Sequence, residues 1–124
     1  MRFLIDSHAF VWWSEALPAL GSVARGAIAD PTNEVLISVA ALWELTIKVS
    51  SGRLSLATDL ETMVASQGFS VLSITFPHLS RLAVLPRFHR DPFDRTMIAQ
   101  ALAEGIPIVT VDRVFANYGV QVVW

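Results

Sequence analysis

Apolar residues in this chain gather in short β-branched blocks, separated by longer stretches where they recur every third or fourth position. The blocks are FLI at 3–5, VLIS at 35–38, VLSI at 71–74, IVTV at 108–111 and VQVV at 120–123. Each has the length and residue types of a strand. The middle blocks are nearly unbroken rather than alternating, which predicts strands covered on both faces and so a mainly parallel sheet.

Helical periodicity fills the intervals. The clearest case follows Ser38, where Val39, Leu42, Trp43 and Ile47 lie close to one stripe and Gly52 supplies a stop. A second helix opens at Asp91-Pro92, carries Met97, Ile98, Ala101 and Leu102, and ends at Gly105, with Pro107 barring continuation. Weaker helices are expected over 22–30, 57–66 and 77–84, with a turn at Asp30-Pro31-Thr32-Asn33. Strands alternating with helices predict one α/β domain over 1–124, three-layered α/β/α around a central, mainly parallel sheet. Ligands of such sheets sit beyond the carboxyl ends of the strands, near a switch point.

Composition narrows the possibilities. At 53% hydrophobic and 16% charged residues, the chain is richer in apolar side chains than a typical soluble domain, a surplus that a partner surface can cover. Asp6, Glu15, Glu44 and Lys48 interrupt every apolar run short of the roughly 20 residues that span a bilayer, so no membrane association is expected. Met1 is followed by no basic and apolar export signal, and cysteine is absent, which makes a cytoplasmic location the expectation. A net charge of −2 argues against a protein that simply coats nucleic acid. It leaves room for a metal-dependent enzyme, since an acidic pocket presents positive charge to phosphate once loaded with divalent cations.

Four acids stand out by position. Asp6 follows the first strand, Glu44 lies on the helix after the second, Asp94 begins a later helix, and Asp112 follows IVTV. In a parallel sheet Asp6 and Asp112 open on one edge, and the helical acids can lean over it. Close carboxylates resist common ionisation, and oxygen-only donors suit Mg²⁺ or Mn²⁺ better than zinc. Each acid also has a local reading. Asp6 can cap a segment starting at Ser7, Glu44 can pair with Lys48 four residues on, Asp94 can favour a helix dipole, and Asp112 can start a turn with Arg113. Their joint placement at one sheet edge is what favours a common site.

The motifs LIDSHAFVWW, ISVAALWELTIK, HRDPFDRTMIAQA and IVTVD, in this order, resemble the four acid-bearing segments of PIN-domain proteins, specifically the VapC-type ribonuclease toxins. The resemblance runs over nearly the whole chain. It implies metal ligation by Asp6, Glu44 and Asp94, with Asp112 helping to hold metal or water. Ser7 stands where threonine is more usual. Ser7, Ser38, Thr110 and Asp91 are candidates to support the ligands from behind, although Ser38 can equally be a helix cap and Thr110 an ordinary strand residue. The resemblance also implies Mg²⁺- or Mn²⁺-dependent endonucleolytic cleavage of RNA, a homodimer, and a small antitoxin whose tail blocks the cleft.

Arg87, Arg90 and Arg95, interleaved with Phe88 and Phe93, form a candidate RNA-guiding patch, with a solvated loop as the alternative. His8 and His89 are candidates for metal or proton transfer that a carboxylate site does not require. Trp12, Trp13 and Trp43 are expected in the core or at a dimer contact. Within HRDPFDR, Asp91 is expected to shape the chain as N-cap and Asp94 to serve chemistry. Two other classes remain open: an inactive PIN-like module that binds RNA or protein, and a phosphoacceptor receiver or phosphatase, which the single acid at Asp6-Ser7-His8 fits poorly.

Overall fold

The structure is a computed structural model describing residues 1–124. Five strands, β1 (Arg2–Ile5), β2 (Glu34–Ser38), β3 (Ser70–Leu72), β4 (Ile108–Val109) and β5 (Val122–Val123), form one sheet in the order β3-β2-β1-β4-β5, with every pair parallel. Six helices connect them: α1 (Ser7–Ser14), α2 (Ser22–Ala29), α3 (Val39–Ser50), α4 (Leu60–Gln67), α5 (Phe76–Ala83) and α6 (Pro92–Glu104). A 3₁₀ segment, Arg113–Tyr118, lies between β4 and β5. The three-layer parallel architecture follows from these strands being apolar on both faces. Phe3, Leu4 and Ile5 are fully buried, as are Ile37, Ile108 and Val109.

Register sets the site. Ile5 pairs with Ile37 on one side and Val109 on the other, so Asp6, Ser38 and Thr110 emerge level at the carboxyl edge. From β1 the chain winds outward through β2 and β3, then returns to build β4 and β5 on the other side. The switch point therefore lies between β1 and β4. There the Asp6 amide donates to the Val109 carbonyl at 3.0 Å.

Element ends differ from expectation where caps and exits intervene. Asp59 caps α4 by accepting from the Thr62 amide, so that helix starts three residues later than its apolar pattern suggests. β4 and β5 are only two residues long, because the chain leaves β4 at Thr110 to deliver Asp112. The helix α1 carries little amphipathic signal, since SHAFVWW is apolar on most sides. Its Trp12 is half-buried and meets Trp124 edge-on, ring centroids 5.7 Å apart. Gly21 lies against Trp124 so closely that a Cβ there would sit 2.7 Å from the indole Cδ1.

Candidate functional site

Asp6 is placed by β1 and fixed by α1, whose first turn it caps: Oδ1 accepts from the Ala9 amide at 2.8 Å. Glu44 lies on α3, where Oε1 accepts from the Ser7 hydroxyl at 2.7 Å and Oε2 faces Lys48 Nζ at 3.2 Å. Asp91 caps α6 by accepting from the Phe93 and Asp94 amides, at 2.9 and 3.0 Å. Asp94 follows as the third residue of that helix. Asp112 caps the 3₁₀ segment through Val114 and receives its own backbone support from Thr110, whose hydroxyl accepts from the Asp112 amide at 3.1 Å.

Each local role foreseen for the acids is therefore present, and the shared placement is present as well. Asp6, Glu44, Asp91, Asp94 and Asp112 line one open cavity of about 380 Å³, together with His8, Trp12, Val111 and Phe115. A cap uses one carboxylate oxygen and leaves the other available, so structural and chemical duties do not compete.

The electrostatics follow from this crowding. Burial, then the charges of Asp91, Glu44, Asp6 and Asp112, push the Asp94 carboxyl up to about 7. Burial also raises Asp6, partly offset by hydrogen bonding from Thr110 and Ala9. No three Asp, Glu or His side chains are gathered tightly enough to enclose one ion. The acids line a wall rather than form a cage. Hard oxygen donors around an open, water-accessible space fit Mg²⁺ or Mn²⁺, which keep several waters and take only a few carboxylates.

A second cavity of about 280 Å³ adjoins the first and shares His8 and Trp12 with it. Lys48 and Arg53 line it, giving the acidic cleft a basic neighbour that the linear sequence did not indicate.

Several expected residues are placed elsewhere. Arg95, expected to guide RNA, is only 8% exposed. Its guanidinium donates to the Leu85 and Pro86 carbonyls and to the Tyr118 hydroxyl, so it ties down the loop before α6 and has no free face for a substrate. Ser38 is fully buried and does not line the acidic cavity. It caps α3 through the Ala40 amide and donates to the fully buried Gln100. Trp43 is not in the core, being 59% exposed and packed edge-on against Phe93, while its expected place at a dimer contact is untouched by this. Arg87 and Arg90 are exposed on the loop leading to the cleft. Tyr118, unforeseen, gathers the Phe88 and His89 amides, the His89 ring and Arg95 on one oxygen. No local pattern in FANYG signals that role, because its partners are more than twenty residues away.

Comparisons with known proteins bear on the fold and the family. The PIN domain profile matches residues 3–121. Ribonuclease VapC22 of Mycobacterium tuberculosis is 31% identical over 113 residues, which cover 89% of this chain and 86% of that protein. Among solved structures, VapBC2 of Rickettsia felis, bound to a DNA fragment from its promoter, superposes with a TM-score of 0.71 at 14% identity, covering 98% of this chain and 97% of that one. Mycobacterium tuberculosis VapC20, described as a sarcin-ricin loop cleaving toxin, gives 0.64 at 17% identity and 95% coverage of both chains. At these identities the solved structures speak for the fold, whereas the profile match and the VapC22 likeness settle descent: the chain belongs to the PIN-domain family, among its VapC ribonucleases.

Proposed function

We propose that the protein is a metal-dependent endoribonuclease, the toxin of a toxin–antitoxin pair, acting through Asp6, Glu44, Asp94 and Asp112 on one or more Mg²⁺ or Mn²⁺ ions. One observation carries the reading: five carboxylates share a cavity at the β1/β4 switch point, against their own repulsion. Proteins rarely retain such a cluster without a cation to relieve it.

A divalent ion held there would supply a water of lowered pKa and neutralise charge on the scissile phosphate. The side chains do the rest. Asp6 is held by the helix start it caps, so its free oxygen is fixed in direction, and Asp94 is brought to the cleft by the first turn of α6. Ser7 orients Glu44 through its 2.7 Å hydrogen bond. Lys48, now paired with Glu44, would be released towards an incoming phosphate once that carboxylate took up metal. Lys48 and Arg53 would receive the neighbouring phosphate in the adjoining cavity, and exposed Arg87 and Arg90 would guide the strand.

The same reading includes a homodimer and a small antitoxin, both in the cytoplasm. Exposed apolar side chains support it, with Phe76 at 84% and Val84 at 77% exposure beside Leu79, and a separate apolar hollow lined by Leu42, Leu60, Val64, Phe69 and Val71. No helix is long and apolar enough to cross a membrane.

The test is cleavage of a broad panel of structured RNAs by purified protein with Mg²⁺ or Mn²⁺, alongside Asp6→Asn and Asp94→Asn. Metal-dependent cleavage lost in both variants is the expected result. Metal-independent cleavage untouched by either would overturn the proposal. RNA binding without cleavage or metal uptake would favour the inactive binding module.

A further inference from the structure

Next to Asp94, which lines the cleft, lies a buried polar atom that has no hydrogen-bond partner, His89 Nε2. It faces Asp94 Oδ2 at 3.4 Å, close but not aligned as a hydrogen bond. On the other side of the ring, Nδ1 lies 2.8 Å from the Tyr118 hydroxyl. That hydroxyl oxygen already faces three obligatory donors: the Phe88 and His89 amides, each at 3.1 Å, and Arg95 Nη1 at 3.3 Å. Among these neighbours only His89 Nδ1 can accept the hydroxyl's own proton.

The tautomer follows. Were Nδ1 protonated, the Tyr118 oxygen would meet four donors and its own hydrogen would have no acceptor. With Nδ1 bare, the Tyr118 hydroxyl proton has its acceptor, and the ring N–H sits on Nε2, aimed at Asp94. Phe115, its ring 6.5 Å away, and Tyr118 flank the imidazole and restrict its rotation.

We propose that His89 is a positioning residue, locked by Tyr118 as the Nε2–H tautomer, which donates to Asp94 Oδ2 and leaves Oδ1 for the cation. The inference rests on the function proposed above and adds a residue that four-carboxylate logic does not require. A carboxylate that binds a cation through one oxygen holds its direction only if the other oxygen has a donor. The 3.4 Å separation closes into that hydrogen bond when Asp94 turns towards a bound ion. Arg95 belongs to the same device, since it pins both the loop and the Tyr118 oxygen.

Two measurements on the full chain test this. Long-range ¹H–¹⁵N correlation spectra should show an unprotonated Nδ1 and a protonated Nε2 for His89, assigned by the signals missing in His89→Gln. Calorimetric titration with Mn²⁺ should show His89→Ala binding about 10- to 100-fold more weakly. His89→Gln, whose amide N–H reaches the same place, should recover most of the loss, which a purely structural role would not predict. A protonated Nδ1, wild-type Mn²⁺ affinity in His89→Ala, or a Gln variant as weak as the Ala variant would each overturn the inference. If the wild-type chain takes up no Mn²⁺, the proposed function falls as well; if it binds Mn²⁺ and His89→Ala binds equally tightly, only this inference falls.

Discussion

The two ends of α6 carry acids under opposite conditions. Glu104 closes the helix at the amino edge of the sheet, where the helix dipole disfavours a negative charge. Yet it is satisfied, with Arg2 at 3.8 Å and the buried His78 ring at 3.2 Å, and Arg2 also reaches Glu34 at 3.6 Å. Asp94 starts the helix at the carboxyl edge, where the dipole favours it. It nonetheless stands among four other carboxylates, and its carboxyl is pushed up to about 7. One edge has its acids paired with basic side chains, whereas the other gathers five carboxylates in one cavity. Local helix electrostatics are small beside this difference in neighbours.

The largest effect is expected from removing the charge at the strained end. Asp94→Asn should lower metal-dependent cleavage roughly 100-fold or more, since disturbing even a residue behind a metal ligand costs 10- to 100-fold. In EDTA the same substitution should raise the thermal midpoint above neutral pH. The folded Asp94 holds its proton up to about pH 7, whereas the unfolded one releases it near 3.8. Stability that the neutral carboxyl allows at low pH is thus lost as pH rises from about 4 to 7. Thermal scans across that window should show the wild-type chain declining more steeply than the variant. Mg²⁺ should restore the wild type alone.

Next comes the scaffold of the strained edge. Arg95→Ala should destabilise the fold by about 2 kcal/mol or more in urea titrations, because two buried acceptors and a part-buried one lose a charged donor. Arg87→Ala and Arg90→Ala should leave stability unchanged and weaken RNA binding. Asp91→Ala should cost about 0.5 to 2 kcal/mol as a lost cap, with cleavage largely retained. Catalytic loss from Asp91→Ala equal to that from Asp94→Ala would merge the two duties. The smallest effect belongs to the satisfied edge. Arg2→Ala should shift stability by no more than about 0.5 kcal/mol, being an exposed pair, and should not alter cleavage.

The parts readable from sequence were those set by local rules. β1 and β2 appear within a residue of their apolar blocks, and α6 has the N-cap, N1 proline and C-cap glycine that Asp91, Pro92 and Gly105 imply. The gathering of the four acids was readable because strand ends in a parallel sheet share an edge. Arg95 was not readable: an arginine two residues from an aromatic looks the same whether it faces solvent or the backbone of a loop ten residues earlier. Nor were Tyr118 and the Lys48–Arg53 cavity, which depend on how distant segments pack.

Trp12 gives the cleft an optical property. Its indole forms part of the wall of both adjoining cavities and meets Trp124 edge-on. An occupant of either cavity would change the environment of that indole directly, and a paramagnetic Mn²⁺ beside it would quench its emission. If the proposed loading occurs, native fluorescence would report it without a label, with a Trp12→Phe variant as the blank.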